Sequence, residues 1–295
     1  MYPPSFEYRR ASSVREAIEM LAQWGGRARL LAGGHSLIPL MKLRLASPEA
    51  LVDIGRVGEM RGIRVSDGQL VVGALTTHHE LETSPVVRQY CPVLAEAASV
   101  IGDPQVRNRG TVGGNLAHAD PASELPAVAV ALDARMVAVG PAGQRTVEAS
   151  NFFLGMLTTA LAGDEVLTEV RFPARARMGG QRLGMAYAKL PHPASGYAVV
   201  GVAAVVSLDD AGACCDVRVG VTGVADRAYR ASATEQALTG RQPGPAAIEE
   251  AAALATDGVD VQGDPLYASA EYRAHLCRVY VKRALAEAAR RAQAA

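Results

Sequence analysis

Two glycine pairs, Ala32-Gly33-Gly34-His35-Ser36 and Thr111-Val112-Gly113-Gly114-Asn115, constrain this chain more than any other feature. The first follows an apolar run that reads as a strand or buried segment, and each closes on a small polar residue. Without Cβ atoms a Gly-Gly pair reaches positive φ, and its amides approach a ligand closely. Successive N–H groups in such a turn form a nest that binds an anion without a lysine. One such pair reads as a turn. Two, closed by Ser and Asn, suggest a pyrophosphate held between two loops, and therefore a dinucleotide. The familiar alternatives are missing: no Gly-x-x-x-x-Gly-Lys-Ser/Thr run and no Gly-x-Gly-x-x-Gly follows a strand, against a P-loop NTPase and a Rossmann nicotinamide site.

A chain of 295 residues suggests two domains, and 49% hydrophobic residues supply their cores. Thirty basic residues balance thirty acidic ones, leaving no field for nucleic acid or anionic lipid. The Met1–Glu7 start carries no apolar signal region, and no run of 18 apolar residues occurs, so a cytoplasmic protein with no transmembrane segment is expected. Cys91, Cys214, Cys215 and Cys277 have no spacing suited to zinc or an iron–sulfur cluster. They read as buried thiols, with Cys214 and Cys215 on opposite faces of a strand.

Ser13-Val14-Arg15-Glu16 has the form of a capping box and opens a helix from about Val14 to Trp24, which Gly25-Gly26 ends. Ala28–Ala32 reads as a strand feeding the first loop, Leu37–Leu43 as a helix and Leu51–Ile54 as the next strand. This alternation predicts a small α/β unit with parallel pairing. Ile63–Val72 is a hairpin about Asp67-Gly68. Thr77-His78-His79-Glu80 is a second capping box, before helices over Leu81–Val100. A hairpin over Met136–Val147 and a strand over Val166–Phe172 follow, then a linker at Arg175–Gly180. Strands at Leu183–Lys189, Ala198–Leu208 and Asp216–Thr222 precede a helical remainder, ending in a long helix from about Ser269 to Arg290. Strands followed by helices suggest an α+β C-terminal part.

Leu30–Lys42 and Gly110–Leu116 resemble the first and second FAD loops of the flavoprotein (medium) subunits of molybdenum hydroxylases. That group includes aerobic carbon monoxide dehydrogenase and the flavin domain of xanthine dehydrogenase. The resemblance runs from Phe6 to about Arg283, and the Met1-Tyr2-Pro3 start with the cluster-free chain is most similar to the carbon monoxide dehydrogenase branch. It implies an α+β fold with a two-part, vanillyl-alcohol-oxidase-like FAD-binding domain over residues 1–176, split at about 56/57 into a small α/β unit and a mixed or antiparallel sheet unit. A C-terminal domain over 177–295 would hold a three-stranded antiparallel sheet with helices.

Carried over position by position, the resemblance implies FAD contacts from Ala32, Gly33, Gly34, His35, Ser36 and Leu37, and from Thr111, Gly113, Gly114 and Asn115. His118 would reach the adenosine half, and Ile101 belongs to the same set. Glu124 matches an acidic position at the ribityl or ring end, or is a plain N-terminal helix charge. Leu167 matches a residue touching the ring edge through its backbone, and also suits a strand core. Lys189 matches a lysine near the flavin, where a cation favours the reduced form, or is an exposed strand lysine. Tyr197 matches an aromatic against the ring; many relatives have Gly-Asp-Tyr where this chain has Ser195-Gly196-Tyr197, which puts a dependent acidic contact in doubt. His78-His79 reads as a solvated helix start, since adjacent helical residues face different directions. No residues of this chain are expected to be catalytic or to bind metal.

The function implied is an electron-transfer subunit carrying non-covalent FAD. A large partner would hold the molybdopterin cofactor and a small one the [2Fe-2S] clusters, as a dimer of heterotrimers in the cytoplasm or peripheral to the inner membrane. Electrons would leave to a quinone or similar acceptor, or to NAD in a xanthine-dehydrogenase-like complex. The alternative is a self-contained FAD-dependent reductase or oxidase of the same superfamily; a flavin-free assembly module fits the intact loops less well.

Overall fold

The computed structural model describes residues 1–173 and 182–295. The expected linker at Arg175–Gly180 and the boundary at 176/177 lie outside the described residues.

The N-terminal sheet is parallel, in the order β1 (Glu7–Arg10), β3 (Ala50–Asp53), β2 (Ala28–Leu31). Helix α1 (Val14–Trp24) connects the first two strands in sequence and buries Val14, Ala17, Ile18 and Leu21. Ser13 caps it by accepting the Glu16 N–H at 3.1 Å. The predicted capping box is half made: Glu16 accepts from the N–H and hydroxyl of Ser12, at 2.7 and 2.6 Å, and not from Ser13. Gly25, at φ 54°, stops the helix in the left-handed region. After β2 the first loop runs into the short helix α2 (Leu37–Lys42), so the loop sits at the carboxyl end of a parallel strand.

A five-stranded antiparallel sheet follows, in the order β4 (Ile63–Ser66), β5 (Gln69–Gly73), β10 (Val166–Pro173), β6 (Arg135–Gly140), β7 (Gly143–Glu148). Asp67 and Gly68, at φ 52° and 69°, make the hairpin turn between β4 and β5. Between the hairpins lie α3 (His78–Thr83), α4 (Pro85–Tyr90), α5 (Pro92–Ser99), α6 (Pro104–Arg107), α7 (Val112–His118) and α8 (Glu124–Ala131). Helix α9 (Ala149–Phe152) and the small hairpin β8 (Phe153–Gly155), β9 (Thr158–Thr159) bridge β7 and β10.

The C-terminal sheet has the three expected long strands, β11 (Arg182–Pro191), β12 (Ala198–Leu208) and β13 (Cys214–Thr222), plus a two-residue edge strand, β14 (Tyr229–Arg230). Every residue of β12 is buried. Its alternation divides it between two cores: Ala203 and Val205 pack with the N-terminal core, and Val200, Val202, Ala204 and Val206 with the C-terminal helices. Each fully buried valine stabilises the fold by about 1.5–3 kcal/mol, so β12 binds the two cores into one body. Helices α10 (Ser232–Leu238), α11 (Pro245–Ala253) and α12 (Ala270–Ala294) cover the C-terminal core. Cys214 is buried and Cys215 exposed, so the alternation holds while the buried-thiol expectation fails for Cys215.

Candidate cofactor site

The first loop is open. Among the described residues, the amides of Gly33, Gly34, His35, Ser36 and Leu37 donate to no acceptor. Gly34 stands at φ 77°, and the turn it makes sends the chain from β2 into α2. Gly33 is required for a different reason. A Cβ there would overlap the Arg109 carbonyl and crowd the Gly110 Cα, so the first loop rests on the backbone just ahead of the second. The His35 Nδ1 lies 3.1 Å from the Gly33 carbonyl, with the ring exposed. A row of free amides at a strand-to-helix junction is chemistry suited to phosphate oxygens.

The second loop corrects the nest reading. It is the first turn of α7, with Thr111 as N-cap, and neither glycine has positive φ. Val112 N–H donates to Thr76 O at 2.9 Å and Gly113 N–H to Ala74 O at 2.8 Å. Gly114 N–H takes the Thr111 hydroxyl at 3.1 Å, and Asn115 N–H the Thr111 carbonyl at 2.9 Å. All four amides are occupied, so this loop has side chains to offer, not a nest. Gly113 is there for packing, since a Cβ would overlap Ala74. Asn115 Oδ1 accepts from the Ser123 hydroxyl at 2.8 Å, leaving Nδ2 without a partner among the described residues.

Past α7 the remaining expected residues gather. His118 ends the helix, its pKa lowered by burial and opposed by Asp120. Glu124 starts α8 and pairs with Lys189 of β11, side chains only 4% and 5% exposed; Lys189 Nζ also donates to Val100 O at 2.8 Å. The exposed-lysine and plain-helix-charge alternatives therefore both fail. Burial raises the Glu124 pKa, and Lys189 opposes the rise. Ile101, next to Val100, is buried, and its carbonyl accepts from Arg107 at 3.2 Å. Tyr197 precedes β12 and is 43% exposed; burial and the Asp120 and Glu124 carboxylates raise its pKa, while the Ser36 hydroxyl it faces lowers it. Ala32 and Leu37 flank the open loop, both partly buried. Leu167 is buried beside a bulge in β10, where Thr168 O accepts the Ala74 N–H at 2.9 Å. It thus lies in the core behind the second loop.

His78 overturns the solvated-helix-start reading. It is 3% exposed; its N–H donates to Gly110 O at 3.0 Å, and its ring packs on Gly110. Burial lowers the imidazole to about 4, with Arg107 and His35 adding to the shift, and Nδ1 is buried without a partner among the described residues. The sequence signal was the capping box at Thr77, which is fully formed and turns His78 inward. Tyr187 is a second buried group the sequence did not reveal: its hydroxyl has no partner among the described residues, and burial raises its pKa well above the usual tyrosine value. No cluster of three metal-ligating side chains occurs among the described residues, and no helix of them is long and apolar enough to cross a membrane. A cleft of about 980 Å³ lies elsewhere, between α1 and the five-stranded sheet, lined by none of the expected site residues.

The open amide row and the close loop-to-loop approach suit an anionic ligand such as a dinucleotide. The chain belongs to the FAD-binding molybdopterin dehydrogenase family: residues 4–175 match the FAD binding domain in molybdopterin dehydrogenase, and 185–288 the CO dehydrogenase flavoprotein C-terminal domain. It is 44% identical over 289 residues to the carbon monoxide dehydrogenase medium chain of Hydrogenophaga pseudoflava, covering 97% of each. It is 39% identical to the alpha subunit of the 6-hydroxypseudooxynicotine dehydrogenase complex of Paenarthrobacter nicotinovorans, covering 99% of this chain and 97% of that one. A solved carbon monoxide dehydrogenase from Hydrogenophaga pseudoflava superposes with a TM-score of 0.93 at 45% identity, covering 99% of each chain. The chain is thus a medium, FAD-binding subunit of an oxidoreductase in the molybdenum hydroxylase family.

Proposed function

We propose that this chain holds FAD non-covalently against the first loop and relays electrons from an iron–sulfur partner to an external acceptor. The observation that carries the reading is the row of unoccupied amides from Gly33 to Leu37, set on the Arg109–Gly110 backbone. Those amides suit the pyrophosphate, the Ser36 hydroxyl and Asn115 Nδ2 add donors, and the exposed Tyr197 ring suits one face of the flavin. Lys189 and Glu124 act as a neutral pair behind the site, so Lys189 does not offer the isolated cation its position in the sequence suggests. Bound FAD would supply the conversion between two-electron and one-electron chemistry. This chain's own residues bind, orient and shield it.

The medium-chain relatives favour a complex in which a large subunit holds the molybdenum cofactor and a small one the [2Fe-2S] clusters, assembled as a dimer of heterotrimers. Carbon monoxide is the favoured substrate of that complex, and a quinone or similar molecule its acceptor. The 39% identity to a subunit serving a quite different substrate supports substrate choice on another polypeptide. Acid precipitation of the purified chain tests the non-covalent mode, with all yellow colour expected in the supernatant; colour in the pellet contradicts it. Native purification should bring iron and molybdenum with the chain. Fast flavin reduction by NADH in the isolated chain would favour a free-standing reductase instead.

A further inference from the structure

The segment between α7 and α8 is held by the C-terminal sheet. Thr222, fully buried at the end of β13, has its hydroxyl 2.6 Å from Pro121 O and 2.8 Å from Ser123 O, its one hydrogen shared between the two carbonyls. Gly223 N–H donates to Pro121 O at 2.7 Å, and Ala198 N–H, at the start of β12, to Ala122 O at 3.1 Å. Asp120 braces the same turn from within, accepting Ala122 N–H at its carboxylate and Ser123 N–H at its carbonyl. Ser123, itself only 3% exposed, then passes its hydroxyl to Asn115 Oδ1. A continuous run of hydrogen bonds therefore joins the C-terminal sheet to the second glycine loop.

This run decides which end of the Asn115 amide faces outward. With Oδ1 taken by Ser123, the donor Nδ2 is the end left for a ligand. The amides of Val112 to Asn115 are all taken, so Asn115 Nδ2 is the side-chain amide donor that this turn can present. We propose that Ser123 is a positioning residue for Asn115, itself held by Thr222, and that the C-terminal sheet thereby fixes Asn115 Nδ2 as a donor to an oxygen of bound FAD. The inference rests on the FAD reading above. Freed of Ser123, the Asn115 side chain rotates, and the donor is present but no longer fixed.

A double-mutant cycle on the full chain, stripped of flavin and titrated with FAD by fluorescence quenching, tests this. Asn115→Ala and the near-isosteric Asn115→Asp, which lacks the donor, should each raise Kd about tenfold, the scale of one lost hydrogen bond. Ser123→Ala should raise Kd about fivefold, and Ser123→Thr, which keeps the hydroxyl, should restore near-normal binding. Combined with Asn115→Ala, Ser123→Ala should change Kd by less than about twofold, because it has no amide left to position. Thr222→Val should weaken binding when Ser123 is present and add little in the Ser123→Ala chain. Independent, multiplicative effects of Ser123→Ala and Asn115→Ala would overturn the relay, as would normal binding by Asn115→Asp. Failure of the unmutated chain to bind FAD would overturn the FAD reading itself.

Discussion

The two glycine loops look alike in sequence and are built in opposite ways. Ala32–Ser36 is a turn with its amides unoccupied, whereas Thr111–Asn115 is a helix start in which the four amides from Val112 to Asn115 are already bonded. What separates them is their neighbours. The first loop leaves the end of a parallel strand, where no adjacent backbone reaches its N–H groups. The second lies against Ala74–Thr76, whose carbonyls take its amides, and Thr111 supplies the cap. A Gly-Gly pair thus marks close backbone approach in both places, and a row of free amides in only one.

Substituting the glycines breaks the comparison most sharply. Gly33→Val should abolish FAD binding by driving the first loop off the Arg109 carbonyl, with the fold retained. Gly113→Val should instead cost stability, about 1–3 kcal/mol or more, by overpacking against Ala74. Flavin content and the urea midpoint, read on both variants, separate the outcomes; equal loss of both properties in the two variants would erase the distinction.

The buried pair behind the loops comes next in size. Lys189→Met leaves Glu124 buried without its cation, a change that costs about 3–5 kcal/mol. A double variant with Glu124→Gln should recover much of that loss in thermal unfolding. A Lys189→Met chain as stable as the original would mean that the pair does not hold as described.

His78 gives a smaller, pH-dependent effect. Its pKa falls from 6.5 to about 4 on folding, so the folded state binds fewer protons than the unfolded one between those values. The stability it contributes is full above about pH 6.5 and is lost as pH falls toward 4, by about 3 kcal/mol at most. Urea midpoints across pH 4–7 should show this slope, and His78→Gln should flatten it. An unchanged slope in that variant would assign the loss to other groups.

Much of the frame was legible in the sequence because local signals decide it. Ser13 and Gly25 bound α1 at the predicted residues, and Asp67-Gly68 turns the β4–β5 hairpin as read. Strand β1 was missed because Glu7–Arg10 is exposed along its length and carries no apolar alternation. For the candidate site the sequence offers residues but not the contacts among them. Lys189 and Glu124 stand 65 positions apart, and Thr222 and Ser123 stand 99, so nothing local announces either pairing. His78 was misjudged because its burial comes from Gly110, brought close by the bridge between Thr77 and Thr111.

Amide hydrogen exchange, followed in the flavin-free chain and again after FAD is added, tests the contrast between the loops most directly. The account predicts rapid exchange from Gly33 to Leu37 in the free chain, strong protection there once FAD binds, and protection from Val112 to Asn115 that is present from the start and changes little. Protection of the first loop before FAD is added, or a large FAD-dependent gain confined to the second, would contradict it.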